Sequence, residues 1–144
     1  MDDVSDPFQL QRFIEAQQQS YTAALTELRA GIKQSHWMWF IFPQHAGLGR
    51  SPMAQFYGIR SLHEARAYLA HPILAERYRE AVGVIIDWSG RKTALQILGD
   101  VDAMKLRSSL TLFETASGDP SFAQALTTFF GESDEATLRL LRRV

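Results

Sequence analysis

Apolar residues recur along this chain in steps of three and four, and outside one short stretch no polar/apolar alternation of strand length occurs. Asp6-Pro7 offers an N-cap followed by proline at the first helical position. Phe8, Leu10, Phe13 and Ile14 then follow near helical spacing, which predicts a short helix over about 7–17. Gln17, Gln18, Gln19 and Ser20 interrupt the pattern. It resumes with Tyr21, Ala24, Leu25 and Leu28 and stops at Gly31, a residue suited to a left-handed C-terminus, so a second helix is expected there.

Ser51-Pro52 repeats the cap-plus-proline device, and Ser61-Leu62-His63-Glu64 reads as a capping box, predicting helices near 52–58 and 62–70. Pro72 opens a longer amphipathic helix to about Trp88, with Ile73, Leu74, Tyr78, Ala81, Val82, Ile85 and Ile86 on one face. Beyond the turn at 89–92, Thr93 to Leu98 makes one or two turns ended by Gly99. Asp102 is placed to cap a helix carrying Met104, Leu106, Leu110, Leu112 and Phe113. Asp119-Pro120 opens a further helix ended by Gly131, and Ser133 a last one through Leu141. The class is therefore all-α: a single domain over 1–144 of about eight mostly short helices, without repeat, linker or low-complexity segment.

The exceptional stretch is Ser-His-Trp-Met-Trp-Phe-Ile-Phe-Pro-Gln at 35–44. As a helix capped by Ser35 and ended by Pro43, Trp37 to Phe42 are apolar on every side. As a strand both faces are apolar too, so either form belongs in the interior, and the helix is favoured. The cluster reads first as core and second as the wall of a pocket for a flat ligand, with the indoles of Trp37 and Trp39 stacking.

Composition narrows the function classes. Fifteen basic against sixteen acidic residues leave a formal charge of −1, which argues against nucleic acid and an anionic membrane as partners and makes any anion site local. The absence of cysteine removes disulfides, thiolate ligands and thiol nucleophiles. The longest apolar run is far short of the roughly 20 residues a spanning helix needs, and the N-terminus has no leader-like pattern, so a cytoplasmic protein is expected. His36 and His45 have no carboxylate between them, and His63-Glu64 lacks the second histidine of a zinc helix because position 67 is alanine. No metal and no cofactor are expected.

Several pieces together carry a family likeness: Asp6-Pro7-Phe8 with Leu10, Arg12 and Phe13; Ala24-Leu25 with Glu27-Leu28; the run 35–44; Gly47-Leu48-Gly49 with Ser51; Tyr57-Gly58-Ile59; Glu64-Ala65 with Tyr68-Leu69; and Lys105 to Ser109 with Thr111-Leu112-Phe113. Over nearly its whole length the chain resembles the bacterial family called domain of unknown function 1810, some of whose members carry a calpastatin label that nothing in these residues supports physically. The resemblance implies a compact, mainly helical single domain without an established biochemical activity.

Three features carry candidate chemistry. His36, beside the aromatic run, is the candidate acid–base residue, with a histidine bonded to a carbonyl as the alternative. The turn Gly47-Leu48-Gly49-Arg50-Ser51 combines backbone N–H groups with a cation and reads either as an anion cradle or as a helix-capping loop. Lys105-Leu106-Arg107-Ser108-Ser109-Leu110-Thr111 concentrates hydroxyls in a helix. This is either close packing with hydroxyls bonded to carbonyls four residues back, or a polar face closing over a ligand.

Together they predict a small-molecule site for a flat, anionic, nucleotide-like metabolite, binding or processing it by hydrolysis or transfer. In it His36, Trp37, Trp39, Gln44, Gly47, Gly49, Arg50, Ser51, Lys105, Arg107 and Ser109 face one cleft. The alternative is a non-catalytic interaction module meeting a protein partner through charged faces such as Arg77, Arg79 and Glu80, or Arg139, Arg142 and Arg143. Whether His36, Arg50 and Lys105 converge separates the two.

Overall fold

The computed structural model describes residues 6–142; Arg143 of the second charged face lies outside them. Nine α-helices occur among the described residues: α1 (Gln11–Ala30), α2 (Met38–Ile41), α3 (Pro52–Tyr57), α4 (Leu62–Ala70), α5 (Pro72–Ile86), α6 (Ala94–Leu98), α7 (Asp100–Ser117), α8 (Pro120–Phe130) and α9 (Glu135–Arg142). A single 3₁₀ turn spans Ala46–Leu48. The all-α architecture is as expected. α7 runs through the middle, packed by α4, α6, α8 and α9, while α1 lies against α5 and α2.

The glutamine tract does not break α1, because Gln17 is a buried residue of one continuous helix. Its side-chain amide donates to the Phe40 carbonyl at 2.7 Å and to the Tyr68 hydroxyl at 3.2 Å, so an apparently polar position belongs to the core face. Asp6 does cap this helix, but through an intervening turn: its carboxylate accepts from the backbone N–H groups of Leu10 and Gln11 at 2.8 and 3.0 Å, which moves the start to Gln11.

Three expected caps are also corrected. Ser35 does not cap the aromatic helix, which shrinks to Met38–Ile41; its N–H and hydroxyl both donate to Glu27. Asp102 caps nothing and pairs with Lys33 and Lys105, and α7 starts directly after Gly99. Asp134 rather than Ser133 caps α9, accepting from the Thr137 N–H at 3.0 Å. The capping box at Ser61 is half made, since Ser61 Oγ accepts from Glu64 N–H while the Glu64 carboxylate turns to the Arg60 N–H and to Arg12.

The centre is aromatic. Phe113 stacks near Tyr68 and Tyr78 with ring centroids 5.1 and 4.6 Å apart, and Phe13, Phe42 and Phe122 meet the same tyrosines edge-on. Burial raises the pKa of both tyrosine hydroxyls well above the usual phenol value. Tyr78 satisfies its hydroxyl on Ser109 at 2.9 Å, so two polar groups enter the core as a pair.

Candidate functional site

The turn after the aromatic run is held from below. The His45–Ile59 bridge ties it through Ala46 N–H to the Ile59 carbonyl and Ile59 N–H to the Gln44 carbonyl, both at 2.8 Å. Gly49 and Gly58 are required by packing. A Cβ on Gly49 would lie 2.6 Å from the Ala54 Cβ, and one on Gly58 would lie 2.6 Å from the Ala46 Cα and 2.7 Å from the Ala54 carbonyl oxygen. Gly47 lies against the methyl groups of Leu140 of α9, flexible ends that could yield to a small side chain. Its N–H donates to His45 Nδ1 at 2.9 Å and that of Leu48 to the His45 carbonyl, so part of the expected N–H cradle is already spent inside the turn. Ser51 caps α3 by accepting from Ala54 N–H at 3.1 Å.

This turn, the start of α3, α7 and the segment entering α9 enclose an open cleft of about 530 Å³. Trp39 and Gln44 line it from the aromatic run, Gly49, Arg50 and Ser51 from the turn, and Val101, Met104, Lys105 and Ser108 from α7. Lys105 Nζ sits 5.0 Å from the centroid of the Trp39 ring and 3.8 Å from Asp102, whose other oxygen holds Lys33 Nζ at 3.0 Å. The Trp39 indole N–H, the Gln44 amide and the Arg50 guanidinium have no hydrogen-bond partner among the described residues. A narrow recess of about 10 Å³ adjoins them, lined by Trp39, Gln44 and Tyr57, and has room for about one water molecule.

Six predicted residues therefore share one cleft: Trp39, Gln44, Gly49, Arg50, Ser51 and Lys105. The others lie elsewhere, each for a visible reason. Trp37 is 1% exposed in the core and donates its indole N–H to Glu27 at 2.9 Å. His36 is exposed on the preceding turn and does not line the cleft. Gly47 packs under α9. Arg107 clasps the 131–134 turn through the Glu132 and Ser133 carbonyls and the Glu132 carboxylate, and Ser109 is buried against Tyr78.

The hydroxyls of α7 mostly follow the packing reading. Ser108, Thr111, Thr115 and Ser117 donate to the carbonyls of Met104, Arg107, Thr111 and Phe113, four residues back. Thr111 Oγ1 additionally accepts from Asp134 N–H.

Met104 and Val101 stand at the cleft, 52% and 64% exposed. Exposed apolar residues beside an arginine that has no partner among the described residues are the signal that sequence periodicity misses. Among the described residues no three His, Asp or Glu side chains are placed to hold a metal ion, and no helix is long and apolar enough to cross a membrane.

Most arginines are matched within the chain. Arg12, 9% exposed, pairs with Glu64 at 2.8 Å and donates to four carbonyls, those of Phe8, Gln9, Phe56 and Gly58. Arg29 meets Glu80, Arg79 meets Asp119, and Arg139 and Arg142 share Glu135. Arg77 and Arg91 lie over the rings of Tyr21 and Trp88. The charged faces suggested for a protein partner are thus largely paired internally. Among the described residues, Arg50, Arg60 and Arg66 meet neither a carboxylate nor an aromatic ring.

No curated protein matches the chain. The crystal structure of the conserved hypothetical protein Rv1873 from Mycobacterium tuberculosis at 1.38 Å is similar, with a TM-score of 0.93 and 44% sequence identity, covering 96% of this chain and 100% of that one. The family described as protein of unknown function (DUF1810) matches residues 7–141. With a family match over nearly all of its length, the chain belongs to the DUF1810 family.

Proposed function

We propose that the cleft between the Gln44–Ser51 turn and α7 binds a small, flat, anionic metabolite of nucleotide-like size. The observation that carries this reading is that Arg50 and Lys105 line one cleft beside the half-buried Trp39, with the Gln44 amide and the Trp39 N–H unpartnered among the described residues. Small-molecule sites are built this way, from an aromatic or apolar wall and a few polar groups that set orientation. A guanidinium without a carboxylate is a ready fork for a phosphate or carboxylate. Lys105, held between Asp102 and the indole, brings a second cation to the same edge. The apolar side chains of Val101 and Met104 add apolar lining from α7.

The reading is of binding. His36 lies off the cleft and has no part in it, so no reaction is assigned. The test is a thermal-denaturation screen of nucleoside monophosphates and aromatic carboxylates against wild type, Arg50→Ala and Lys105→Ala. A ligand at about a hundred times its Kd stabilises the fold by about 2.7 kcal/mol, and either substitution reduces that shift. Stabilisation that is unchanged in both variants, or absent for every compound, overturns the proposal.

A further inference from the structure

Arg60 and Arg66, the other two unmatched arginines, line one groove of about 310 Å³ that shares no residue with the cleft. His45 and His63 line it as well, and Leu62, Leu140 and Leu141 give it an apolar side. Among the described residues no carboxylate lines it. Glu64, adjacent in sequence, is 3% exposed and already accepts from Arg12 and from the Arg60 backbone N–H. Among the described residues Arg66 commits only its Nε, to the Ala116 carbonyl at 3.1 Å, and its terminal amino groups have no partner there. His45 Nδ1 accepts from Gly47 N–H, so its neutral ring carries the proton on Nε2.

Two guanidinium groups that make no ion pair among the described residues repel one another in a small groove, and an anion with several acceptor oxygens relieves that repulsion. A phosphate presents three such oxygens in the geometry that paired arginine forks match. The volume is at the low end of ligand sites, enough for a phosphate and a short carbon body rather than a nucleotide. We infer that this groove binds a small organic phosphomonoester, its phosphate between Arg60, Arg66 and His63 and its carbon body against Leu140 and Leu141.

The test is a titration of the full chain with phenyl phosphate, followed by backbone amide NMR, with phenol as the uncharged control. Saturable shifts are expected at Leu62, His63 and Leu140. The Arg60→Ala/Arg66→Ala double variant weakens binding at least tenfold, as read from the shifts at Leu62, His63 and Leu140. Leu62→Glu places a carboxylate at the groove on a helix-opening position that tolerates it, and is expected to abolish binding with the rest of the spectrum unchanged. Shifts confined to residues around Trp39 and Lys105, equal binding by phenol, or unchanged affinity in the double variant overturn the assignment.

Discussion

Trp37 is 1% exposed with its indole N–H on Glu27, whereas Trp39, two residues on, is half-buried, with Lys105 over its ring and no partner for its N–H. Trp37 stands at the non-helical N-cap of α2 and Trp39 is the second residue of that helix, and the two rings part: one enters the core and the other lines the cleft. The inward side is closed: Glu27 collects Gln34 N–H, Ser35 N–H, Ser35 Oγ and Trp37 Nε1, and Lys33 lies 5.0 Å from the Trp37 ring. The outward side is open, with Gln44, Arg50 and Trp39 all holding unspent hydrogen-bonding capacity. A region that spends every polar group on itself supports the fold; one that leaves several unspent at a concave surface has capacity for something else.

The largest effect that separates the two sides is on stability. Trp37→Ala removes a fully buried indole and strands Glu27 without one of its donors, so a loss of about 3–5 kcal/mol is expected in urea unfolding. Trp39→Ala is expected to cost under half as much. Equal losses from the two substitutions would erase the distinction.

Next comes the turn that joins the sides. Gly58→Ala drives a Cβ into the Ala46 backbone and the Ala54 carbonyl, neither of which is the yielding end of a flexible side chain. A cost of about 1–3 kcal/mol is expected, together with displacement of the Gln44–Ser51 segment and hence weaker ligand binding. A Gly58→Ala protein with wild-type stability and wild-type binding would show that the turn does not need this close approach.

How much of this was legible in the sequence follows from what each residue does. Helices announced by local chemistry, such as Pro72 and Asp119-Pro120, stand where the spacing put them. Gln17 misled because its partners, Phe40 and Tyr68, are 23 and 51 residues away, so its polarity could not reveal its burial. Ser35 and Asp102 looked like caps for a similar reason: Ser35 is held by Glu27 of α1, and Asp102 by Lys33 from a distant part of the chain as well as by Lys105 one turn on. The cleft was legible in Trp39, Arg50 and Lys105 as residue types. Only the placing of α7 and the turn around one cleft could separate them from Trp37, Arg107 and Ser109.

A smaller effect is expected at Glu27. Desolvation alone would raise its pKa, but the Ser35 hydroxyl, the Gln34 and Ser35 N–H groups and the Trp37 indole together hold it at about 2 against an ordinary 4.5. Because the folded value lies below the unfolded one, the contribution is complete above about pH 4.5 and is lost as pH falls towards 2. Glu27→Ala is expected to cost about 1–2 kcal/mol at pH 7 and to flatten the stability profile between those values, as read from urea midpoints across pH. A variant whose profile keeps the wild-type slope there would mean the clamp is not ionised as described.

The smallest expected effect on stability is at Arg50, and that makes it the sharpest test of the open side. Its guanidinium is bonded to nothing among the described residues, so Arg50→Ala removes no internal contact and should change unfolding by less than about 0.5 kcal/mol. If the cleft holds an anion, the same substitution removes a charge-assisted hydrogen bond of about 1.5–3 kcal/mol from binding, which is roughly a tenfold to hundredfold rise in Kd. Arg12 behaves in the opposite way, since deleting it abandons the buried Glu64 carboxylate and several carbonyls and cannot leave stability untouched. A residue that matters to binding and not to folding has been placed for a partner outside the chain. An Arg50→Ala protein that loses stability instead would move this arginine to the closed side of the comparison.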